Sequence, residues 1–320
     1  MVPPVAHFVW LGRDLPWAYA LAARAAEIRG GFARVVLHHL DELDPKSLRR
    51  ARTELSGTSL RRLDPTQLFR GLGSLTQPLH ELFVRLKQPA AKSNLLRLAI
   101  LAREGGVYLD TDVITLSPFT PLLKQGFFCG AERIALPALV AHSRNPLRYL
   151  SPLARIAIRD IFRRLPSGYR WFRYLDRCYP AVVNNAVMGC PPGHPFAFSL
   201  LEAAIRLPPD RQLKRFALGT HLLEYGVVNY PGTDLVVHPP ERFYPLGPEI
   251  SQHWFRERKG RLPTDLPSPR SIAVHWYASV RTQKIVPRID PAYIRAHATS
   301  QLWSSLVVDL LDVLDFQESA

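Results

Sequence analysis

The stretch VAHFVWLGRDLPWAYALAARAAEIRGGFARVVLHHL, residues 5–40, decides the fold. An apolar run ends in glycine, an alanine-rich segment follows, and a second apolar run begins just after Gly30 and Gly31. Asp14 is predicted to cap the intervening helix, with Pro16 in its first turn. A strand, a helix and a strand in this order predict a mostly parallel sheet covered by helices, so the expected fold class is α/β.

The composition of the 320 residues is that of a globular protein, because 47% are hydrophobic and only 21% are charged. Apolar runs are too short to span a bilayer, and the first residues lack the pattern of a secretory signal. Three cysteines, at positions 129, 178 and 190, have no metal-like spacing. Such cysteine usage indicates a reducing compartment, so a cytoplasmic location is expected.

The chain is strongly basic, with 41 Lys and Arg against 27 Asp and Glu and a net charge of +14. Such a surface attracts phosphates, anionic lipid headgroups and acidic polymers. Most of the cations are arginines, which are also frequent in proteins from GC-rich genomes. Charge alone is therefore weak support for nucleic acid as a partner, and none is expected.

Arginines are concentrated in residues 144–180, where Arg155, Arg159 and Arg163 recur every four positions. This spacing predicts one basic face on a helix, beside an apolar one. Two interpretations remain open: a solvated face with arginines lying along the surface, or a patch for an anionic membrane or a phosphate-bearing acceptor.

The chemistry-bearing stretch is REGGVYLDTDVITL, residues 103–116, which places Asp110 and Asp112 in an apolar, strand-like run. Residues two apart on a strand project to the same side, so the two carboxylates are predicted to converge at the end of one strand. Paired hard oxygen ligands suit Mg²⁺ or Mn²⁺. Taken by itself, so short a pattern can equally be a pair that caps a turn.

Residues 90–119, AAKSNLLRLAILAREGGVYLDTDVITLSPF, resemble the central block of the glycosyltransferases with a DXD-containing sugar-binding region. This family includes bacterial capsule and lipopolysaccharide glycosyltransferases, α-1,6-mannosyltransferases and α-1,4-galactosyltransferases. Further segments resemble the family in the expected order, and they are VAHFVWLG (5–12), VVNNAVMGCPPGHPF (182–196), LGTHLLEYG (218–226) and AVHWYASV (273–280). The resemblance implies a GT-A-type nucleotide-sugar-binding fold. Because the sequence contains no internal repeat and no clear linker, residues 1–320 are expected to form a single domain with a helical insertion at 144–180.

The resemblance also implies a Mn²⁺ or Mg²⁺ cofactor. Asp112 would ligate the metal directly, and Asp110 would hold the ribose and share the field of the metal. His275 is a candidate third ligand, although a solitary histidine in a strand is more often a hydrogen-bonded core residue. Trp276 would cover the nucleotide.

Substrate contacts are expected near the start of the helix that precedes the acidic pair. Ser93 is predicted to cap that helix, and Asn94 and Arg97 share a face that suits a diphosphate or sugar hydroxyls. Asn94 stands where relatives more often have Asp, which puts the identity of the sugar in doubt. The alternative for Arg97 is a structural ion pair with Glu104. Tyr108 is a further candidate contact, or a core residue.

The remaining candidate contacts come from other strands and helices. Asn185 would touch the donor sugar on the acceptor side, and together with Asp110 and Asp112 it completes the predicted catalytic set. The other substrate-binding candidates are His7 and Trp10 near the base and diphosphate, and Thr220 and His221 on the acceptor side.

The expected activity is the transfer of a hexose from a UDP- or GDP-linked donor to a glycan or lipid-linked glycan during surface polysaccharide synthesis. Members of the family retain the anomeric configuration, with the leaving phosphate helping to deprotonate the acceptor. Contact with the inner face of an anionic plasma membrane is a further expectation. The alternatives are a degenerate fold that binds an anionic polymer or nucleic acid without catalysis, and a toxin-like transferase that modifies a protein hydroxyl.

Overall fold

A computed structural model describes residues 1–55, 57–136, 150–260, 262–263, 266–280 and 282–311. Its central feature is a seven-stranded sheet in the order β3-β2-β1-β4-β7-β6-β8. The strands are β1 (Val5–Trp10), β2 (Arg34–His39), β3 (Thr58–Arg62), β4 (Gly106–Leu109), β6 (Phe127–Arg133), β7 (Ala181–Cys190) and β8 (Leu235–His238).

Four of the neighbouring strand pairs in this sheet run parallel, and β7 runs antiparallel to both β4 and β6. The helices are α1 (Trp17–Arg29), α2 (Pro45–Glu54), α3 (Pro65–Arg70), α4 (Thr76–Arg85), α5 (Pro89–Glu104), α6 (Leu150–Arg164), α7 (Gly168–Leu175), α8 (Pro195–Arg206), α9 (Pro209–Gln212), α10 (Thr220–Asn229), α11 (Pro291–His297) and α12 (Leu302–Val307). The predicted α/β class, with a mostly parallel central sheet flanked by helices, is confirmed.

Helices cover both faces of the sheet because its strands carry apolar side chains on both sides. On one face, the alanines of α1 pack with Ala6 and Phe8 of β1 and with Val107 and Leu109 of β4. On the other face, the leucines of α5 and α8 pack with Val9 and Tyr108. Helix α1 begins after Pro16, which makes no side-chain capping bond, so the prediction that Asp14 caps this helix was wrong.

The strand-like run that carries Asp110 and Asp112, within residues 103–116, is divided in two. Strand β4 ends at Leu109, and β5 (Val113–Thr115) pairs instead with β9 (Ala273–His275) in a separate two-stranded sheet. Between them the chain turns, and the amide of Val113 donates to the carbonyl of Asp110 at 2.9 Å. The acids therefore lie in this turn, and the prediction that strand alternation directs them to one side was wrong.

The basic face of helix α6 points toward the protein interior, whereas both predicted interpretations place it outward. Arg155, Arg159 and Arg163 are half-buried, and Arg159 pairs with Glu249 at 2.8 Å. The outward face is apolar, with Leu150, Leu153, Ile158 and Ile161 exposed, while Arg159 on the inward face meets the carboxylate of Glu249. Residues 144–149 of this segment lie outside the described residues.

A loop separates α9 from α10, and a second loop separates α11 from α12. In the described ranges, no helix combines the length and the apolar character needed to cross a membrane.

Candidate active site

The connection between α5 and β4 sets the position of the site. Gly105 and Gly106 adopt φ values of +66° and +94°, which side chains other than glycine rarely tolerate. A Cβ on Gly106 would also lie 2.7 Å from the carbonyl oxygen of Val5 on the neighbouring strand. These glycines let the chain reverse tightly, so that the middle of α5 lies beside the carboxyl end of β4, where ligands collect in α/β sheets.

Asp110 follows β4 and is held by Arg97 of α5. The Nη2 atom of Arg97 lies 2.8 Å from Oδ1 of Asp110, and Nη1 donates to the carbonyl of Asn185 at 2.7 Å. The guanidinium stacks 4.4 Å above the ring of Tyr108, whose hydroxyl donates to Asp110 at 2.8 Å. Since Arg97 is only 5% exposed, the guanidinium is engaged within the protein.

These contacts decide the alternatives for two residues. Glu104 pairs with Arg61 at 2.7 Å, so it is not the partner of Arg97. Ser93 was predicted to cap α5, but this helix begins at Pro89 and Ser93 lies in its second turn, where it accepts from Arg97 at 3.4 Å. The prediction of a Ser93 cap was wrong because the helix extends one turn further toward the N-terminus.

Asp112 is held by the strand that closes the small sheet. Its Oδ1 lies 3.1 Å from Nε2 of His275, and its Oδ2 accepts from the amide of Ala278 at 2.8 Å. The backbone carbonyl of Asp112 accepts from the amide of Trp276 at 3.1 Å. The pairing of β5 with β9 therefore brings together two segments more than 150 residues apart in the sequence.

The electrostatics of the site combine burial with opposite charges. The pKa of Asp112 is lowered: burial works against ionisation, but the charge of His275 and the hydrogen bonds to the carboxylate outweigh it. The pKa of His275 is raised, since Asp112 overcomes the effect of burial. The pKa of Asp110 is raised, chiefly by burial, although Arg97 opposes the rise. Each acid thus has its own cationic neighbour.

The three groups Asp110, Asp112 and His275 offer ligand atoms that lie within 4.8 Å of one another. Two carboxylates and an imidazole form a donor set suited to Mn²⁺ or Mg²⁺. The Nδ1 atom of His275 is buried with no hydrogen-bond partner among the described residues. These residues fit a divalent cation that would replace the proton of His275 as the charge opposing the acids.

Asn94 and Asn185 meet beside this cluster. The Nδ2 of Asn185 donates to Oδ1 of Asn94 at 2.9 Å, and a Cβ placed on Gly219 would lie 2.8 Å from Nδ2 of Asn94. Thr220 follows as the first residue of α10. The structure therefore brings Asn94, Arg97, Asp110 and Asn185 together, with the start of α10 against them.

Trp276 is fully buried, with a relative exposure of 0%. Its ring packs against Tyr19, Phe255 and Trp303. The prediction that Trp276 covers a nucleotide is contradicted, because its ring fills the core, while its backbone amide, just after the end of β9, donates to the carbonyl of Asp112.

Tyr19 of α1 is a site residue that the sequence reasoning missed. Its ring lies 4.9 Å from that of Trp10, at the end of β1, and it is only half-buried. Burial raises its pKa to about 12, and the charge of Asp112 adds to the rise. Its place in the first turn of α1, shortly after the end of β1, was the available signal.

His7 does not lie at the site. Its Nδ1 is 3.0 Å from Nε2 of His38 on β2, and its Nε2 faces the position that a Cβ on Gly106 would occupy, at 2.9 Å. Burial lowers the pKa of His7 to about 4, so the ring is neutral. The prediction that His7 contacts the base or diphosphate was wrong, since this position is in the middle of a buried strand rather than at its end.

A buried layer behind His275 also escaped the sequence analysis. The hydroxyl of Tyr277 donates to Oε2 of Glu132 at 2.8 Å, and the Tyr277 ring lies 3.9 Å from that of His275. Burial raises the pKa of Glu132. A glutamate in the apolar strand FFCGAER was the signal, and its effect is to fix the ring of His275 through Tyr277.

Comparison with known proteins agrees with this geometry. Residues 47–128 match the family described as "Glycosyltransferase sugar-binding region containing DXD motif". The match supports a glycosyltransferase. The matched range includes all of α5 and the turn that carries Asp110 and Asp112. Comparison with curated proteins gives no match.

Several solved glycosyltransferase structures show distant similarity. "PaToxG Glycosyltransferase" is 16% identical over 73% of this chain and 72% of that chain, with a TM-score of 0.46. Mouse xyloside xylosyltransferase 1 is 13% identical over 84% and 96% of the two chains, with a TM-score of 0.45. The UDP-bound glycosyltransferase domain of the YGT toxin is 10% identical over 74% and 79%, with a TM-score of 0.43.

Proposed function

We propose that this protein is a metal-dependent, retaining glycosyltransferase of the GT-A type, with its 320 residues forming one domain. It would transfer a hexose from a UDP- or GDP-linked donor to a glycan or lipid-linked glycan of a surface polysaccharide. The observation that carries the proposal is the convergence of Asp110, Asp112 and His275 at the carboxyl end of the sheet. The match of residues 47–128 to the sugar-binding family supports the same activity.

Asp112 and His275 would hold the metal, with Asp110 as the third ligand or a ribose contact. A bound Mn²⁺ or Mg²⁺ supplies Lewis-acid stabilisation of the departing diphosphate. Arg97 is here a positioning residue and not the predicted substrate contact, since its guanidinium pairs with Asp110 and donates to the carbonyl of Asn185. It holds Asp110 in place and offsets its charge.

The sugar would lie against the two asparagines. Asn185 donates to Asn94, which leaves the Nδ2 hydrogens of Asn94 to donate on the side of Gly219. Asn94 and Asn185 would bind sugar hydroxyls there, and the half-buried rings of Trp10 and Tyr19 would flank the nucleotide.

We assign deprotonation of the acceptor hydroxyl to the leaving phosphate, because the acids at the site are already engaged by hydrogen-bond donors. Among the described residues at this site, Asp110, Asp112 and Glu132 are each held by hydrogen-bond donors. Glu132 is moreover only 7% exposed. In a front-face displacement the leaving phosphate takes the proton of the acceptor hydroxyl, so retention of configuration needs no further protein base.

The test is calorimetric titration of UDP and GDP, with and without MnCl₂, into the wild-type chain and the D112N variant. The wild type should bind one nucleotide in a manganese-dependent way, and D112N should lose that dependence. Asp210→Asn, an exposed carboxylate in α9, is the matched control and should behave as wild type. Nucleotide release from sugar donors, lost in D112N, then measures turnover.

If neither nucleotide binds, or if D112N binds with the same manganese dependence, the transferase proposal is wrong. Binding without any turnover across UDP- and GDP-sugars would instead favour a non-catalytic binding module.

We also propose that the outward face of α6 and α7 rests on an anionic membrane surface inside the cell. Leu153, Ile161 and Trp171 are 57%, 58% and 67% exposed, and the exposed cations Arg164 and Arg170 flank them. An apolar face flanked by arginines suits an anionic lipid interface, because the apolar side chains can enter the boundary of the acyl chains and the arginines can contact the headgroups. A lipid-linked acceptor would be reached from such a position.

Co-sedimentation with phosphatidylglycerol vesicles tests this contact. The double variant I161D/W171D should lose most of the bound fraction, whereas V84D, which changes a 65% exposed valine on α4, should not. Equal binding of all three proteins, or equal binding to neutral phosphatidylcholine vesicles, would refute the contact.

A further inference from the structure

A groove runs between α8 and α10, closed at one end by residues 207–217. Its volume is about 870 Å³, enough for several sugar units. His221, one of the expected acceptor-side residues, forms part of its wall. Nothing in the donor site described above uses this groove.

The wall of the groove is cationic. Arg206, Arg211, Lys214 and Arg215 line it, and all four are exposed. Among the described lining residues, Glu202 is the one carboxylate, and it pairs with Arg206 at 2.9 Å. Three cations therefore remain in excess along one side, so the groove attracts anionic groups.

Aromatic side chains accompany these cations. Tyr225 on α10 lines the groove and is 61% exposed, although aromatic residues are usually turned inward. Phe216 is 51% exposed and lies under the guanidinium of Arg215 at 4.6 Å. An exposed ring offers a flat apolar surface to the C–H face of a sugar, and the neighbouring cations offer charged donors to its substituents.

Helix α10 links the groove to the proposed donor site. A Cβ placed on Gly219, just before this helix, would lie 2.8 Å from Nδ2 of Asn94 and 3.3 Å from Nδ2 of Asn185. His221, two residues further along, lines the groove.

We propose that the groove binds the acceptor, and that the acceptor is an anionic glycan that carries carboxylate or phosphate groups. This inference rests on the proposed transferase activity and adds the chemical class of its second substrate. Arg211, Lys214 and Arg215 bind the charged substituents, and Tyr225 stacks on a sugar ring.

Fluorescence anisotropy on the full chain tests the groove with three labelled probes. These are an oligogalacturonate for carboxylates, an oligo(glycerol phosphate) for phosphates, and a malto-oligosaccharide of matched length as the neutral control. One of the anionic probes should bind, and which one does so identifies the anionic group. Equal binding of the neutral probe would overturn the inference.

The variant R211Q/K214Q/R215Q should bind the anionic probe at least about tenfold more weakly. The variant R49Q/R52Q/R70Q removes the same charge from exposed arginines on α2 and α3, and it should differ from wild type by less than about twofold. An equal loss in both triple variants would show attraction by net charge alone and would overturn the inference. The Tyr225→Ala variant should weaken binding without changing its salt dependence.

Titration of UDP with Mn²⁺ separates this inference from the proposed function. The groove variant should keep wild-type nucleotide affinity, and D112N should keep wild-type affinity for the anionic probe. If UDP binds but the groove variant keeps wild-type affinity for the anionic probe, the groove inference alone is contradicted. If the anionic probe binds in the groove but no nucleotide binds, the transferase proposal is contradicted.

Discussion

Arg97 and Asp110 are expected to be strongly coupled, and a double-mutant cycle measures the coupling. Arg97→Met removes a guanidinium that is 5% exposed and leaves Asp110 without its ionic partner and the carbonyl of Asn185 without a donor. Breaking a buried ion pair from one side costs about 3–5 kcal/mol. Asp110→Asn is close to isosteric and leaves Arg97 charged, so a loss of about the same size is expected.

The double variant R97M/D110N removes both charges, so its loss should be smaller than the sum of the single losses by about 2 kcal/mol or more. Urea unfolding in metal-free buffer, followed by tryptophan fluorescence, measures all four free energies. The exposed pair Arg206 and Glu202, with side chains 77% and 43% accessible, is the control and should show no measurable coupling.

Additive losses for Arg97 and Asp110 would refute the reasoning, because they would mean that the two side chains do not depend on each other in the folded protein. Arg97 could then no longer be the residue that holds Asp110 at the site.

Three further predictions concern the elements around the site. Burial lowers the pKa of His7 to about 4 and of His38 to about 2, so both rings are neutral in the folded protein. The free energy of unfolding should therefore be greatest above pH 6.5 and should fall by about 2 kcal/mol per histidine by pH 5, because the unfolded chain takes up these protons first. Equal urea midpoints at pH 7 and pH 5 would contradict this. Gly106→Ala should destabilise the chain by about 2 kcal/mol or more, measured by thermal unfolding, since φ is +94° and the added Cβ would meet a carbonyl of β1. Tyr277→Phe should weaken manganese-dependent UDP binding about tenfold in calorimetry because the ring of His275 loses a fixed neighbour, and unchanged affinity would refute that positioning role.

Much of the site could be predicted from residue types and their spacing. Asp110 and Asp112 were identifiable because two acids in an apolar run need compensating charge. Asn94, Arg97 and Asn185 were identifiable only through the resemblance to a family. The structure then supplied the contacts among them, such as the 2.7 Å bond from Arg97 to the carbonyl of Asn185.

The failures share one cause, which is that local patterns do not say what a residue faces. The spacing of Arg155, Arg159 and Arg163 correctly placed them on one side of a helix, but that side turns toward Glu249, with which Arg159 pairs. Trp276 directly follows the site residue His275 in the sequence, yet its ring points into the core.

The sequence by itself determined the α/β class, the strand and helix that open the chain, and the chemical types gathered at the site, since these depend on hydrophobic periodicity and glycine positions within short segments. Only the tertiary structure decided that β5 leaves the main sheet to pair with β9, which brings His275 to Asp112. That pairing joins segments far apart along the chain, and its free energy comes from packing and hydrogen bonds that no local pattern records.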